Sequence, residues 1–287
     1  MYKLFFLIAL FASTRTYGQK EDWTNLLDKD LSQWETYLSY RHTTSYNGSQ
    51  PLDAGGQPVQ PIGYNKDETK VFSASEEKGE IVLRVSGEIY GCLYTKQDFG
   101  NYHLKLKVKW GTQKFEPRMH KLKDSGILYH SIGECGVDHW RSWMLAQELQ
   151  IMEGHMGDYW SIAKSAIEVR AFLSEGQMSS IAGNTQPFLP FGENASTSFC
   201  MRSENKESPN GQWTTVELIT FEGKSLHIIN GNVVMVLQNS SYVKDGKSFP
   251  LIKGKIQLQS EAAEVFYKDI QIKSITVLPA AYANFFK

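Results

Sequence analysis

Residues 147–160, QELQIMEGHMGDYW, concentrate side chains that can transfer protons or bind metal ions. The segment begins with the alternation of a β-strand and then runs into a loop marked by glycines. Two carboxyl groups that flank a sugar-binding cleft can cleave a glycosidic bond, one as the acid and the other as nucleophile or base. The segment therefore predicts acid–base chemistry on a carbohydrate, and its candidates are Glu148, Gln150, Glu153, His155 and Asp158.

The strand period divides these candidates between two faces. Successive side chains of a β-strand point to opposite faces of the sheet, so Glu148 and Gln150 share one face. Leu149 and Ile151 then point the other way, into the core. Glu153 falls on the core side unless a β-bulge shifts the register, and bulges often lie beside active sites. With such a bulge, Glu148 and Glu153 form a catalytic pair; without one, the polar face is open to an ordinary solvated role.

A histidine on a second predicted strand could add a metal site. His130 ends the segment SGILYH, on the face opposite Tyr129. If the two strands are neighbours, His130 can meet Glu148 or Gln150, and a histidine with carboxylates suits Mn, Fe, Co or Zn. We therefore predict His130 and Glu148 as ligands of a divalent metal ion, the one cofactor expected. The alternative is a histidine that is exposed or hydrogen-bonded to the chain.

The composition limits the functions that these side chains can serve. The 287 residues are 41% hydrophobic and 21% charged, which is typical of a globular protein. A formal net charge of -1 provides no basic surface for a nucleic acid. Aromatic residues reach 13%, which suits a sugar-binding cleft or a β-rich core. The expected partner is therefore a carbohydrate and not a nucleic acid.

The N-terminus has the pattern of a secretory signal peptide. Lys3 precedes the apolar run LFFLIALFA, and small residues follow near Gly18. The run is too short to span a bilayer, and no other segment is apolar enough to do so. We predict a signal peptide over residues 1–18, one domain over residues 19–287, export to the periplasm or the extracellular space, and no membrane anchor. The three cysteines leave at least one free thiol after export.

Many short alternating segments predict an all-β scaffold for the candidates. Residues 102–110 alternate clearly, and Asn230-Gly231 is a strong hairpin signal. Only short stretches such as residues 158–164 have helical character, with Asp158 as a helix cap. The pattern predicts a concanavalin-like or lectin-like β-sandwich jelly roll with two antiparallel sheets and long cleft loops. A long loop over residues 41–70 is expected to serve a function, such as a lid or a cleft wall.

A series of short motifs resembles the 3-keto-disaccharide hydrolase domain family. The matching positions run from residue 23 to residue 276, which is nearly the whole predicted domain. The motifs are WTNLLDKDLSQW from residue 23, GCLYT from 91, DSGILYH from 124, ELQIME from 148, NG at 230, GKIQLQ from 254 and VFYKDIQIK from 265. Each motif is short, but their shared order is specific.

The resemblance implies a concanavalin-like jelly roll that cleaves glycosides already oxidised at C3. A ketone at C3 acidifies the C2 proton, a base removes it, the C1 substituent leaves, and water adds back. This chemistry needs a base, an acid and a stabiliser of the enolate oxygen, often a metal ion. Glu148 and Gln150 match the family's polar pair, and Glu153 stands where the family often has Asp. His130 and Asp124 depart from the family's Arg and Asn, which affects the metal or substrate site.

Two other functions are consistent with the same scaffold. ELQIME also resembles the ExDxxE signature of laminarinase-type retaining hydrolases, with Glu148 as nucleophile and Glu153 as acid/base, although Gln150 replaces the middle Asp. A jelly roll that binds carbohydrate without cleaving it is the third possibility. In the preferred interpretation, an exported glycosidase, Glu148 and Glu153 are catalytic. Its predicted substrate contacts are Gln150, His130, His155, Asp158 and Trp160.

Overall fold

The structure, a computed structural model, describes residues 23–173 and 178–287. In these ranges the alternating segments form strands, because each strand can bury its apolar face. The first ten strands are β1 (Thr24–Asn25), β2 (Trp34–Leu38), β3 (Gly63–Tyr64), β4 (Phe72–Glu77), β5 (Glu80–Val85), β6 (Gly91–Thr95), β7 (Tyr102–Lys114), β8 (Asp124–Ile132), β9 (Leu145–Met152) and β10 (Tyr159–Ile162).

The remaining elements continue the same pattern. The strands are β11 (Ser165–Phe172), β12 (Ile181–Ala182), β13 (Phe188–Gly192), β14 (Phe199–Cys200), β15 (Thr214–Phe221), β16 (Lys224–Ile229), β17 (Asn232–Lys244), β18 (Lys247–Pro250), β19 (Lys255–Ser260) and β20 (Ala263–Ser274). A short helix, α1 (Ala280–Ala283), and a 3₁₀ turn (Asn284–Phe286) follow β20. None of the helices in the described ranges has the length and apolar character that a membrane span needs.

The strands form two antiparallel sheets, which confirms the predicted β-sandwich jelly roll. The eight-stranded sheet has the order β14-β10-β9-β8-β19-β6-β2-β3. The twelve-stranded sheet follows the path β12-β11-β17-β16-β15-β7-β20-β5-β4, with β1, β13 and β18 paired to β20, β11 and β17. The predicted hairpin at Asn230-Gly231 joins β16 to β17, and Ile229 pairs with Asn232.

The main core lies between the two sheets. Leu149 and Ile151 of β9 are buried there with Leu104 and Leu106 of β7. Removal of apolar surface from water stabilises such a core by roughly 25 cal/mol per Å². Because side chains alternate along a strand, the residues between these core positions in β9 must point to the outer face of the eight-stranded sheet. The core therefore determines which side of the sheet carries the candidate site.

Residues 158–164 differ from the prediction made for them, whereas residues 41–70 agree with theirs. The helix predicted near residues 158–164 is wrong, because β10 pairs with both β9 and β14 there and the sheet supplies its hydrogen bonds. The loop predicted over residues 41–70 is irregular except for β3, as expected. The predicted signal peptide, residues 1–18, lies outside the described residues.

Candidate active site

The floor of the candidate site is the outer face of the eight-stranded sheet, where β8, β9 and β19 run side by side. Glu148 pairs with Leu128, and Gln150 pairs with Gly126, so both polar residues of β9 face outward as predicted. A side chain on Gly126 would clash, because a Cβ there would lie 2.2 Å from Glu148 Oε1 and 2.4 Å from Gln259 Oε1. Gly126 therefore allows these two oxygens to converge over the floor.

Three carboxyl groups share this floor, and we call Asp124, Glu148 and Glu261 the acid cluster. Their residues are only 4%, 3% and 6% exposed. Asp124 and Glu261 form a backbone bridge between neighbouring chain segments, so their side chains lie close together. One guanidinium serves both: Arg118 Nη2 pairs with Asp124 Oδ2, and Arg118 Nη1 lies 3.6 Å from Glu261 Oε1. Two of the three carboxyl groups in the acid cluster thus share one cationic side chain, that of Arg118.

Burial, and after it the neighbouring charges, raise the pKa values of all three carboxyl groups in the acid cluster. Burial raises the pKa of Glu148 well above its usual range, and the charges of Glu261 and Asp124 raise it further. Burial also raises the pKa of Glu261 well above its usual range, with Asp124 as the next cause. The pKa of Asp124 rises to about 6 through burial, although Arg118 opposes the change. These shifts favour the protonated form of Glu148.

Glu148 differs from most buried polar groups in its hydrogen bonding. Within the described residues its carboxyl group has no hydrogen-bond partner. Two nearby buried oxygens, Asp124 Oδ1 and Gln259 Oε1, are also unpaired among these residues. Buried polar groups are normally hydrogen-bonded, and an unpaired one costs roughly 1–3 kcal/mol. Such a concentration of unpaired oxygens is typical of a site that binds a ligand rather than of a structural network.

The turn that follows β9 adds a histidine–aspartate pair. His155 Nδ1 lies 3.0 Å from Asp158 Oδ2, and Asp158 is fully buried. Asp158 Oδ1 accepts hydrogen bonds of 2.9 Å from the backbone N–H and from Nη1 of Arg202. Asp158 therefore does not cap a helix; it fixes His155 and Arg202. His155 also lowers the pKa of Asp124, so the pair lies close to the acid cluster.

An exposed aromatic side chain borders Glu148 on the same face. Trp160 of β10 pairs directly with Glu148 of β9, and Trp160 is 38% exposed. Phe199 of β14 packs against it, with ring centroids 4.6 Å apart. An exposed tryptophan beside a carboxyl group provides a flat apolar surface of the kind that sugar rings stack on. The position of Trp160 is consistent with its predicted role in substrate binding.

A loop over residues 133–144, which we call the roof loop, covers part of the floor. Trp143 Nε1 donates a hydrogen bond of 2.9 Å to the Gly91 carbonyl of β6, and the Met144 N–H donates one of 3.3 Å to Gln257 Oε1 of β19. The buried Asp138 accepts hydrogen bonds from three backbone N–H groups within the same loop. Its charge contributes to the raised pKa of Glu148. The roof loop therefore influences the acid cluster without contacting it through a hydrogen bond.

His130 does not occupy its predicted place beside Glu148. The register of β8 against β9 shifts after Tyr129, and His130 has a positive φ of 52°. Its ring packs against Tyr102 and Tyr129, and its two nitrogens each lie 3.1 Å from a backbone carbonyl, those of Leu251 and Gly100. Burial lowers the pKa of His130 to about 4. The structure therefore does not bring His130 beside Glu148, and the metal pair and the substrate contact of His130 stay predictions without support from this geometry.

Glu153 does not pair with Glu148 either. β9 ends at Met152, and β8 pairs with it in regular register up to that residue, so the bulge on which the prediction depended is absent from this pairing. Glu153 Oε1 accepts a hydrogen bond of 2.9 Å from Asn210 and lies 3.7 Å from Lys123 Nζ. Glu153 is also not among the groups that shift the pKa of Glu148. The predicted catalytic pair is not formed.

Sequence reasoning did not identify Glu261, Arg118 or Gln259 as site residues. Gln257 and Gln259 alternate along β19 on the outer face, and the same period places Glu261 on that face. The alternation of the motif GKIQLQ, which precedes Glu261, therefore indicates the face on which Glu261 lies. Arg118 carried no such signal, because it lies in an irregular segment between β7 and β8. Its contact with the acid cluster depends on how that segment folds back over the sheet.

The oxygen atoms on the floor indicate which residues could bind the predicted metal ion. In the described ranges, no three His, Cys, Asp or Glu side chains are arranged to hold an ion between them. The oxygens that do converge are Glu148 Oε1 and Gln259 Oε1 above Gly126. Carboxylate and amide oxygens suit a hard divalent cation that takes its other ligands from water or substrate. Glu148 thus fits as a ligand, with Gln259 rather than His130 as its partner.

Comparison with known proteins gives one family match. The family model described as the 3-keto-alpha-glucoside-1,2-lyase-like domain matches residues 22–273. No curated protein matches the chain.

Three solved structures with similar folds have low sequence identity to this chain. A candidate glycosyl hydrolase from Parabacteroides distasonis is 16% identical, with 88% of this chain and 100% of that chain covered and a TM-score of 0.47. A GH16 endo-beta-1,3(4)-glucanase is 12% identical, with 88% and 92% covered and a TM-score of 0.42. The carbohydrate-binding module CBM66 from Bacillus subtilis is 7% identical, with 71% and 92% covered and a TM-score of 0.38.

Proposed function

Because the chain belongs to the family of 3-keto-alpha-glucoside-1,2-lyase-like domains, a carbohydrate-active family, we propose that it cleaves glycosides whose C3 carries a ketone. The reaction removes the proton at C2, breaks the bond between C1 and the leaving oxygen, and gives a 1,2-unsaturated 3-keto sugar. Addition of water at C1 then completes a net hydrolysis. The observation that carries this proposal is Glu148, a buried carboxyl group without a hydrogen-bond partner among the described residues, beside two further carboxyl groups.

Glu148 is the proposed general acid. Its burial and its acidic neighbours raise its pKa, which favours the protonated form that a general acid needs. A protonated carboxyl group can give that proton to the leaving oxygen as the C1–O bond breaks. Arg118 holds Asp124 and Glu261 in place beside it. The guanidinium charge also favours the negative charge that develops on the C3 oxygen when the C2 proton leaves.

His155 is the proposed general base. Asp158 accepts a hydrogen bond from Nδ1 of His155, and this leaves Nε2 with the lone pair that can take the C2 proton. Arg202 Nη1 also lies 3.2 Å from Nδ1. Since Nδ1 can hold only one proton, its donation to the Asp158 carboxylate excludes acceptance from Arg202. The pair therefore has the orientation that a base needs, and a buried aspartate maintains it.

A divalent cation remains a prediction for this site. When bound, it would act as a Lewis acid on the C3 oxygen, and Glu148 and Gln259 are the residues that would hold it. This role and the acid role of Glu148 exclude each other, because a ligand carboxylate is ionised and a general acid is protonated. Measurement of activity after chelator treatment, with and without added Mg²⁺, Mn²⁺, Co²⁺ or Zn²⁺, distinguishes the two roles.

The retaining mechanism receives less support. It requires a second carboxyl group as acid/base about 5–5.5 Å from the nucleophile. Glu153, the residue predicted for that role, contacts Lys123 and Asn210 instead.

Pure binding of carbohydrate is the remaining alternative, and Trp160 would serve it equally well. Export, the predicted location of the activity, is also part of the proposal, since residues 1–18 lie outside the described residues.

The proposed reaction can be tested with pairs of glycosides that differ only at C3. Each pair contains a 3-keto glycoside and its unoxidised counterpart, incubated with the protein in D₂O. We expect release of the aglycone from the keto member alone, with deuterium at C2 of the sugar product. Cleavage that leaves C2 without deuterium would overturn the elimination step. Saturable binding of both members without turnover would favour the binding function.

A further inference from the structure

Two cysteines meet where the roof loop contacts the floor of the site. Cys92 lies on β6 and Cys135 lies in the roof loop, and their sulfur atoms are 3.7 Å apart. Both side chains are buried. Cys92 Sγ also lies 4.0 Å from the Ser142 carbonyl, so the roof loop passes over Cys92 at two points. The two thiols are thus close neighbours in space although they are 43 residues apart in the chain.

The surroundings keep these two thiols facing each other. Cys92 pairs with Tyr37 of β2 and with Gln259 of β19, so it is fixed in the middle of the eight-stranded sheet. The Cys135 N–H donates a hydrogen bond of 2.8 Å to the Tyr64 hydroxyl, which anchors that end of the roof loop. A disulfide has a sulfur–sulfur distance near 2.0 Å, so the two atoms need to approach by about 1.7 Å. The two sulfur atoms are already neighbours in the folded protein, so the bond joins side chains that lie next to each other.

We propose that Cys92 and Cys135 form a disulfide bond that fixes the roof loop to the floor beside the acid cluster. In an exchange with a low-molecular-weight disulfide, the thiolate of Cys135, the more exposed partner, attacks one sulfur and releases one thiolate. Cys92 then attacks Cys135 Sγ and releases the second. The two protein thiols lose two electrons and two protons, and the donor disulfide becomes two thiols. Burial raises the pKa of the Cys92 thiol, so the second step is the slower one.

The bond would matter because the roof loop contacts the floor of the site directly, through Trp143 and Met144. Asp138 lies between Cys135 and Trp143, and it accepts three hydrogen bonds from the backbone of the same loop. Without a covalent connection, the roof loop is held to the floor by hydrogen bonds such as that of Trp143 to Gly91. The disulfide would restrict its opening and keep Asp138 in place. This inference requires an oxidising compartment, as the predicted export provides, but it does not depend on the proposed reaction.

Cys200 supplies the matched control. It is buried on β14, where its sulfur contacts the Met201 carbonyl, and it belongs to a different hydrophobic cluster from Cys92 and Cys135. The folded Cys200→Ser variant is incubated with oxidised glutathione and analysed by intact mass and by peptide mapping without reduction. The Cys135→Ser variant receives the same treatment. We expect loss of two hydrogen masses and a peptide that joins Cys92 to Cys135 in the first variant, and neither in the second.

Limited proteolysis then measures the effect on the roof loop. Arg141 is an exposed trypsin site within it. Cleavage after Arg141 should be several-fold slower in oxidised than in reduced Cys200→Ser protein, and Tm should be higher by roughly 5 °C or more. Two intact thiols after prolonged incubation of the folded protein, or a cross-link that involves Cys200 in the wild type, would overturn the proposed bond. Equal cleavage and equal Tm in both redox states would overturn its role in fixing the loop.

Discussion

The two outer faces of the sandwich differ in the basic partners that their acidic side chains have. On the outer face of the twelve-stranded sheet, four acidic side chains have basic partners. These pairs are Arg84 with Glu264, His103 with Glu217, Lys107 with Asp269, and Lys268 with Glu80. On the outer face of the eight-stranded sheet, the acid cluster of three carboxyl groups shares the single guanidinium of Arg118.

This difference shows that the fold of the sandwich does not require a buried carboxyl group without a partner. Charged residues on an exposed face are stable when they are solvated or paired, and the twelve-stranded sheet follows this rule. A buried carboxyl group without a partner is costly, and nothing in the fold of a sandwich requires it. Glu148 is therefore expected to destabilise the free protein. A role in binding a ligand or in a reaction would explain why it is present.

The largest expected effect is on activity. Substitution of Glu148 by Gln keeps the size of the side chain but removes the proton that it donates. We expect kcat/KM on a 3-keto glycoside to fall by about 10²–10⁴-fold, the usual contribution of a general acid or base. The control is Glu217→Gln on the other face, which should leave kcat/KM unchanged. Full activity of Glu148→Gln would remove Glu148 from the mechanism.

Removal of the shared guanidinium should have the largest effect on stability. Arg118→Met leaves Asp124 and Glu261 without their cation, and we expect a loss of about 3–5 kcal/mol in the free energy of unfolding at pH 8. The control, Lys107→Met, breaks a half-exposed pair and should cost no more than about 1 kcal/mol. Urea denaturation measures both.

The pH dependence of Arg118→Met provides a second check. Asp124 has a pKa of about 6 in the folded protein, so it is largely protonated at pH 5 and needs less compensation there. The loss caused by Arg118→Met should accordingly be smaller at pH 5 than at pH 8. A loss that is equal at both pH values would mean that packing, and not charge, is what Arg118 contributes.

The pH dependence of stability should have opposite signs on the two faces. Burial raises the pKa of Glu148, so its contribution to stability is present below the unfolded pKa and is lost as the pH rises. The hydrogen bond from His103 lowers the pKa of Glu217, so its contribution is present at neutral pH and is lost as the pH falls.

Thermal unfolding from pH 4 to pH 8 tests this contrast. Glu148→Gln should gain Tm relative to the wild type as the pH rises, whereas Glu217→Gln should lose it. Each kcal/mol corresponds to roughly 2–4 °C in a domain of this size. Differences of the same sign for both variants would contradict the comparison between the faces.

The smallest expected effect concerns binding. Trp160→Ala removes the aromatic surface beside Glu148 and should raise KM roughly 10-fold with little change in kcat, because stacking contributes equally to ground state and transition state. The matched control is Phe249→Ala, an exposed aromatic residue of β18 in the other sheet, which should leave KM unchanged. A fall in kcat with constant KM would assign Trp160 a part in the reaction itself.

Much of the fold followed from the sequence because the strand period is a local property. Leu149 and Ile151 could be assigned to the core, and Glu148 and Gln150 to the opposite face, from alternation alone. The Asn230-Gly231 hairpin is equally local. The short stretch at residues 158–164 contains a strand and not a helix, because its conformation depends on β9 and β14, which supply hydrogen bonds on both sides of β10.

His130 shows why part of the site could not be predicted. Alternation places it on the outer face, but the bulge after Tyr129 turns it inward. The bulge lies against β19, where Gly254 has no side chain and allows close approach: a Cβ there would lie 2.4 Å from the Ser131 carbonyl oxygen. Such a bulge depends on a partner more than a hundred residues away in the sequence, so the local pattern around His130 carried no sign of it.

By itself, the sequence determined an all-β sandwich, its family, and the face on which Glu148 and Gln150 lie. These properties depend on periodicity and on short motifs, which are local. Only the tertiary structure decided which acids share the floor with Glu148. Asp124, Glu261 and Arg118 come from three separate segments, and their charges act on one buried carboxyl group because folding removes all of them from water together.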